Sequence, residues 1–272
     1  MDETSAFWLR VAALLYSVGL LHAILTVARR REVWFGPAVA AARLGAILHA
    51  VSVVDRTMRT GHFLASDIYE SFSLLALLIV AAFLAAHWKY GVAQLGIVIF
   101  PMAFTLTLLA AMSGFVRAWP SSAVRDTWLS VHVLLVLLGY AALLLMTVGA
   151  LIYLFQEREL KRKQPRSFYQ RLPALGTLDD LISRSMTVGF VLITLAVAVG
   201  STWAFVEIGT SWIREPKIAV SLFTWGIYML MLVLRISAGW RGRKAAVLAL
   251  TAVGCSAVTW AAHKNLISIL QP

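Results

Sequence analysis

The chain has 272 residues, of which 60% are hydrophobic and 14% charged, and its mean hydropathy is +0.81. These values lie outside the usual range of soluble domains and predict a chain whose main solvent is the lipid bilayer. The formal net charge is +11, but Lys and Arg fall in short runs between apolar stretches. They do not form the continuous basic face that nucleic acid requires, so we predict no nucleic-acid partner. A single cysteine, Cys255, excludes an internal disulfide or a CxxC metal site.

Eight apolar runs are long enough to cross the hydrocarbon core as helices, which takes about 20 residues. In chain order, the predicted spans are Phe7 to Ala28, Pro37 to Val54, Ser71 to Ala86, Val92 to Met112, Thr127 to Phe155, Met186 to Val206, Ala219 to Ile236 and Ala245 to Ile267. The first run lacks a signal-peptide pattern and is expected to stay in the protein. The fifth run is long enough to project from the membrane as an amphipathic extension ending at Glu157 to Glu159. We therefore predict an all-α polytopic membrane bundle, with one domain over residues 1–272.

The basic residues between the predicted spans concentrate on one side. Basic clusters follow the first, fifth and seventh spans, at residues 29–31, 158–184 and 235–244. Loops rich in Lys and Arg stay on the cytoplasmic side, so both termini are predicted to be extracytoplasmic. The longest connection, residues 156–185, is basic and predicts a cytoplasmic surface loop without a core of its own. This loop is either a topology signal alone or a contact for anionic lipid or a soluble partner.

The histidines point to one side of the membrane as the functional side. With this topology, four of the six histidines lie in the outer half of the protein, namely His49, His62, His132 and His263. His49 and His132 each lie about five residues from the outer end of a span. Both are therefore predicted to lie ~8 Å deep, where they could face one another. An imidazole at lipid depth pairs, lines a wet cavity or binds a ligand, and haem iron is a common ligand for it. For either histidine alone, satisfied packing is the competing interpretation.

Tryptophan is abundant near the predicted membrane surfaces. Trp128 fits the aromatic belt that gathers at membrane interfaces for reasons unrelated to ligands. Trp119, Trp203 and Trp212 lie in or beside the outer loops. They belong either to that belt or to an apolar platform for a flat macrocycle, and the sequence leaves both interpretations open.

Two stretches resemble the cytochrome c assembly protein family, of the CcsA, ResC and HemX type. The first begins at His49, continues through Gly61 and His62, and reaches the Tyr-Glu-Ser motif at residues 69–71. It is similar to the family's histidine-bearing span, its GHFP motif and the start of the next helix. The second, residues 131–160, contains His132 and resembles the family's fifth-span segment with its external-side histidine. The similarity extends over nearly the whole chain.

A third stretch, residues 209–246, resembles the family's tryptophan-rich loop and the GWRGRRAA turn that follows it. The positions that match are Gly209, Trp212, Pro216, Lys217, Ser221, Leu222, Thr224 and Trp225. Ile208, Arg214 and Val220 stand where the family has tryptophan. The resemblance therefore implies a platform with fewer indoles, in which Arg214 could pair with a haem propionate.

The family's complete set of four histidines is also not present. Val233 occupies the position of one family histidine, and His263 lies earlier in the last helix than the family's terminal one. Only His49 and His132 match, so we expect a haem-binding assembly factor without a complete synthase site. No general acid or nucleophile pair is evident in the sequence, and we predict no catalytic residue.

The resemblance implies a protein that binds or presents haem near the outer face. His49 and His132 would ligate the iron, and Trp203, Trp212, Arg214 and His263 would complete the haem-binding site. Expected partners are membrane lipid, apocytochrome c and other assembly proteins. One alternative is a HemX-like regulator whose loop contacts a cytoplasmic tetrapyrrole-synthesis enzyme. Another is a small-molecule permease.

Overall fold

The computed structural model describes residues 3–29, 35–60, 68–112, 123–162, 173–210 and 216–270, which form an all-α bundle without strands. Its helices are α1 (Glu3–Arg29), α2 (Phe35–Thr60), α3 (Ile68–Tyr90), α4 (Gly96–Ala111), α5 (Ala123–Lys161), α6 (Leu175–Ile208), α7 (Pro216–Ser237) and α8 (Arg243–Leu270). A short 3-10 helix, Ala93–Leu95, leads into α4. The all-α prediction is therefore confirmed.

Among the described residues, seven helices, α1 to α7, are long and apolar enough to cross a membrane. The predicted eighth span is helical as α8, of which only residues 243–257 are described with their side chains. Helix α5 has 39 residues, or about 58 Å at 1.5 Å per residue, and so exceeds a hydrocarbon core about 30 Å thick. The helix continues beyond Phe155 to Lys161, so the predicted helical extension is confirmed, whereas its projection from the membrane stays a prediction. The side on which each terminus lies stays a prediction.

The predicted surface loop is shorter than expected, because α6 begins at Leu175 rather than at Met186. Leu178, Leu181 and Ile182 lie three and four residues apart and are almost completely buried. This spacing puts all three on one helix face, which packs against α5 and makes the segment part of the core. The prediction of a coreless connection is therefore wrong for residues 175–185. Residues 163–172 of the same connection lie outside the described part of the chain.

The helices pack around two apolar cores, and α5 contributes to both. The first core joins α1 to α4 and includes Tyr16, Phe83, Leu95 and Phe100. The second joins α5 to α8 and includes Leu178, Ile182, Tyr228 and Met231. On α5, Ala141, Leu145 and Val148 pack into the first core, whereas Leu143, Met146 and Ala150 pack into the second. Helix α5 therefore lies between two four-helix regions, and Leu181 of α6 also packs into the first core.

Helices α5 and α6 pack closely because glycines face large side chains across their interface. A Cβ atom at Gly139 would lie 2.6 Å from Cδ1 of Ile193, and one at Gly189 would lie 2.7 Å from Cδ2 of Leu143. Small residues at such contacts let two helix backbones approach in a bilayer, where van der Waals packing supplies much of the association energy. This close approach sets the geometry of the site described next.

Candidate functional site

His132 lies on the face of α5 that packs against α6. Its Nδ1 atom lies 2.8 Å from the carbonyl oxygen of Ala196. A carbonyl oxygen only accepts hydrogen bonds, so Nδ1 is the protonated, donating nitrogen of the ring. In a neutral imidazole the other nitrogen, Nε2, then carries a lone pair. Metal-binding histidines are commonly oriented in this way by a hydrogen bond from their second nitrogen.

The absence of a side chain at Gly200 lets His132 lie flat against α6. A Cβ atom at this position would lie 2.6 Å from Cε1 and 2.8 Å from Nδ1 of His132. Real Cβ atoms do not approach ring atoms so closely, so any other residue would displace the imidazole. The position of the ring therefore depends on both Ala196 and Gly200.

Replacing Gly200 with alanine is expected to lower the affinity of His132 for a metal-centred ligand such as haem by about tenfold or more, because the ring loses its orienting hydrogen bond. Gly226→Ala on α7 is the matched control, since a Cβ atom there meets nothing within 4 Å. Ligand titrations followed by absorbance would measure both variants. Equal affinities for the two would show that Gly200 does not orient the ring.

His132 lines an open cavity of about 710 Å³ between α5, α6, α7 and α8. Ligand pockets usually measure about 300–1,000 Å³. The described lining residues include Tyr140, Ile193, Val197 and Tyr228, and no Asp, Glu, Lys or Arg is among them. The Ser256 hydroxyl in this lining donates to the carbonyl oxygen of Ala252 at 2.8 Å, so this polar group inside the cavity is satisfied within the protein. Such a lining suits a large apolar ligand that carries one group, such as a metal ion, to which the lone pair of an imidazole nitrogen can bind.

Two tryptophans lie one helical turn from His132, toward the end of the bundle where α5 begins and α6 ends. Trp128 donates from Nε1 to the carbonyl oxygen of Val199 at 2.8 Å. Trp203 donates from Nε1 to Glu207 Oε2 at 2.7 Å. The two ring centroids are 6.4 Å apart. The indoles are thus fixed side by side at the edge of the site.

His49 has a different environment from His132. It is completely buried on α2, with Nε2 2.9 Å from Ser73 Oγ and Nδ1 3.5 Å from the Tyr16 hydroxyl oxygen. These contacts belong to α1 and α3, and His49 is not among the described residues that line the His132 cavity. The structure therefore does not bring the two histidines together. Equal depth along two spans did not fix their lateral positions, because α2 and α5 belong to different four-helix regions.

Comparison with known proteins identifies the family of this chain. The family model described as "Cytochrome C assembly protein" matches residues 65–260. The chain belongs to that family. The match includes His132 and most of the four helices around its cavity, whereas His49 lies before it.

Three relatives, each named "Cytochrome c biogenesis protein CcsA", illustrate how close the family members are. The protein from Gloeothece citriformis is 27% identical, and the alignment covers 92% of this chain and 89% of that protein. The protein from Prochlorococcus marinus subsp. pastoris is 30% identical, covering 74% of this chain and 71% of the relative. The protein from Guillardia theta is 26% identical, covering 76% and 75%. The alternatives, a regulator of haem synthesis and a permease, are not favoured by these similarities.

The structure describes only some of the other predicted site residues. Trp203 lies beside the His132 site, as given above. Trp212, Arg214 and His62 lie outside the described residues, and their roles stay predictions. His263 is part of α8, but its side chain also lies outside the described part.

Sequence reasoning missed two features of the site. Trp128 was assigned to the interfacial belt, although it lies four residues before His132 and so shares its helix face. That spacing could have linked the two residues. The role of Gly200 could not be predicted from sequence spacing, because it depends on which part of α6 packs against His132.

Proposed function

We propose that this protein acts in cytochrome c assembly by holding haem, its substrate, in the cavity between α5 and α8. His132 Nε2 is the iron ligand in this proposal. The observation that carries it is the hydrogen bond from His132 Nδ1 to Ala196, which leaves Nε2 as the ligating nitrogen of a histidine that lines a cavity of about 710 Å³. Neutral imidazole is a common axial ligand of haem iron.

The properties of the cavity fit this substrate. Haem is a flat, largely apolar macrocycle with two carboxylates on one edge. The described lining carries no charged residue, so burying the carboxylates inside it would be costly, and they are expected to stay at the open edge. We propose that Trp128 and Trp203, which lie beside one another near the end of α5 where His132 stands, offer apolar ring surface to the porphyrin.

The protein's own residues bind and orient the substrate rather than break or form its bonds. His132 holds the iron, Ala196 and Gly200 hold His132, and the apolar lining limits the access of water. The thioether chemistry belongs to the porphyrin and its acceptor. We propose apocytochrome c and other assembly proteins as partners, and the bacterial inner membrane as the location, with the His132 end of the bundle facing outward.

A haem titration tests this function. The full chain, purified in nanodiscs, would be mixed with increasing amounts of haem while the absorbance spectrum is recorded. We expect a Soret band of histidine-ligated haem that saturates when haem and protein are equimolar. A spectrum identical to that of haem in empty nanodiscs, over the whole range, would overturn the proposal.

A further inference from the structure

A second apolar space lies against the outside of the His132 cavity. It is a groove of about 540 Å³ between α3, α4 and α5, and its lining includes Leu75, Pro101 and Leu106. These three helices are long and apolar enough to span the membrane, so the open side of the groove faces lipid acyl chains. The groove lies where the two four-helix regions meet along α5.

The groove and the cavity share two residues, Tyr140 and Leu144. Their side chains form a common wall between the lipid-facing space and the space that contains His132. Tyr140 lies two turns after His132 on α5, or about 12 Å further along the helix. It is 51% exposed, although a polar residue in the middle of a span is normally sheltered from lipid. The two spaces are therefore separated by a wall that includes a half-exposed tyrosine lining both of them.

The opposite side of the groove is formed by a weakened helix. Pro101 lies inside α4 and has no N–H group, so the carbonyl of Ile97 loses its usual partner. The Thr105 hydroxyl donates to the carbonyl oxygen of Pro101 at 2.8 Å. A helix with such an interruption bends more readily than a regular one.

We propose that this groove is a lateral doorway through which haem dissolved in the bilayer enters the cavity, with Tyr140 and Leu144 as its gate. The proposal rests on the proposed function. A flat, apolar porphyrin partitions into lipid, and the groove offers it an apolar surface that leads directly to the side of the cavity. Side chains change rotamer far faster than helices rearrange, so a gate of two side chains opens without unfolding the bundle.

The test compares how fast haem reaches His132 from the bilayer and from water. Leu144→Trp places an indole in the shared wall, whereas Leu108→Trp places one on a lipid-exposed surface of α4 outside the groove. Haem would be offered either preloaded in the nanodisc lipid or bound to a soluble carrier, and the growth of the histidine-ligated Soret band would be timed. From preloaded lipid, Leu144→Trp is expected to be about tenfold slower than Leu108→Trp, since overpacking a closed site raises the barrier to opening it.

A second variant keeps the test decisive if the tryptophan disturbs packing. Leu144→Ala thins the wall and is expected to speed uptake from preloaded lipid; because Leu144 also lines the cavity, each rate is divided by the rate of the same variant with haem from the soluble carrier. Equal ratios for Leu144→Trp, Leu144→Ala and Leu108→Trp would overturn the doorway and leave the proposed function standing. Absence of a histidine-ligated spectrum in the unmodified chain would instead overturn the proposed function and the doorway with it.

Discussion

Replacing His132 with glycine is expected to abolish the histidine-ligated Soret band of the haem-loaded protein. The substitution removes the proposed iron ligand and leaves a space of the same shape as the lost ring. Free imidazole added to the variant should occupy that space and restore the band, because it can donate to the Ala196 carbonyl and ligate iron as His132 does. Absorbance spectra recorded with and without imidazole measure both effects.

His49→Ala is the control variant for this experiment. His49 is fully buried and paired with Ser73 and Tyr16 inside the first core. Its loss leaves a cavity and an unpaired Ser73 hydroxyl, so we expect the free energy of unfolding to fall by about 2–4 kcal/mol. The Soret band of the folded variant should be retained. If His49→Ala instead loses the band and keeps its thermal stability, the sequence-based hypothesis of a two-histidine site is right.

The helices could be predicted from the sequence because the property that forms them is local. A run of about 20 apolar residues must satisfy its backbone hydrogen bonds internally, so its length alone predicts a membrane helix. The same reasoning fails for helical segments of lower mean hydropathy. Residues 175–185 include charged side chains such as Asp179 and Arg184, which lower the mean hydropathy of the segment. The mean value therefore did not indicate the buried helix face that carries Leu178 and Ile182.

The site could be predicted only in part, because its geometry depends on which helices become neighbours. His132 was identifiable as an imidazole in an apolar run, and Trp203 as an indole near the same surface. The Ala196 carbonyl that orients His132 is 64 residues away, and no local pattern links the two. Whether His49 shares the site depends on how the helices pack side by side. The depth of a residue along its span gives no information about that packing.

A buried ion pair is expected to hold together the cavity-forming helices at the end remote from His132. Arg235 at the end of α7 bonds through Nη2 to Asp179 Oδ2 at 3.0 Å and through Nε to Ser183 Oγ at 2.9 Å. Asp179 Oδ1 accepts from the backbone N–H of Gly242, immediately before α8, at 2.8 Å. The Asp179–Arg235 pair therefore ties the first turns of α6 to α7 and α8. Its side chains are only 16% and 10% exposed, respectively.

Arg235→Met is expected to lower the free energy of unfolding by about 3–5 kcal/mol, because it leaves the Asp179 carboxylate buried without its cation. The Lys161→Met variant is the control, since Lys161 pairs with Glu157 on one helix and is 63% exposed, and it should cost less than about 1 kcal/mol. The Asp179→Asn, Arg235→Met double variant should be more stable than the sum of the two single losses predicts, since both remove the same interaction.

Denaturation in detergent, monitored by circular dichroism, measures the free energy of unfolding of the two single variants of the ion pair, of the double variant and of Lys161→Met. Haem affinity measured on the folded fraction adds a functional readout. Loosening the start of α6 and α8 should weaken haem binding, because both helices form walls of the cavity although neither Asp179 nor Arg235 is among its described lining residues. If Arg235→Met is no less stable than Lys161→Met, the pair does not hold these helices. The packing of Leu178, Ile182 and Met231 must then fix the far end of the cavity by itself.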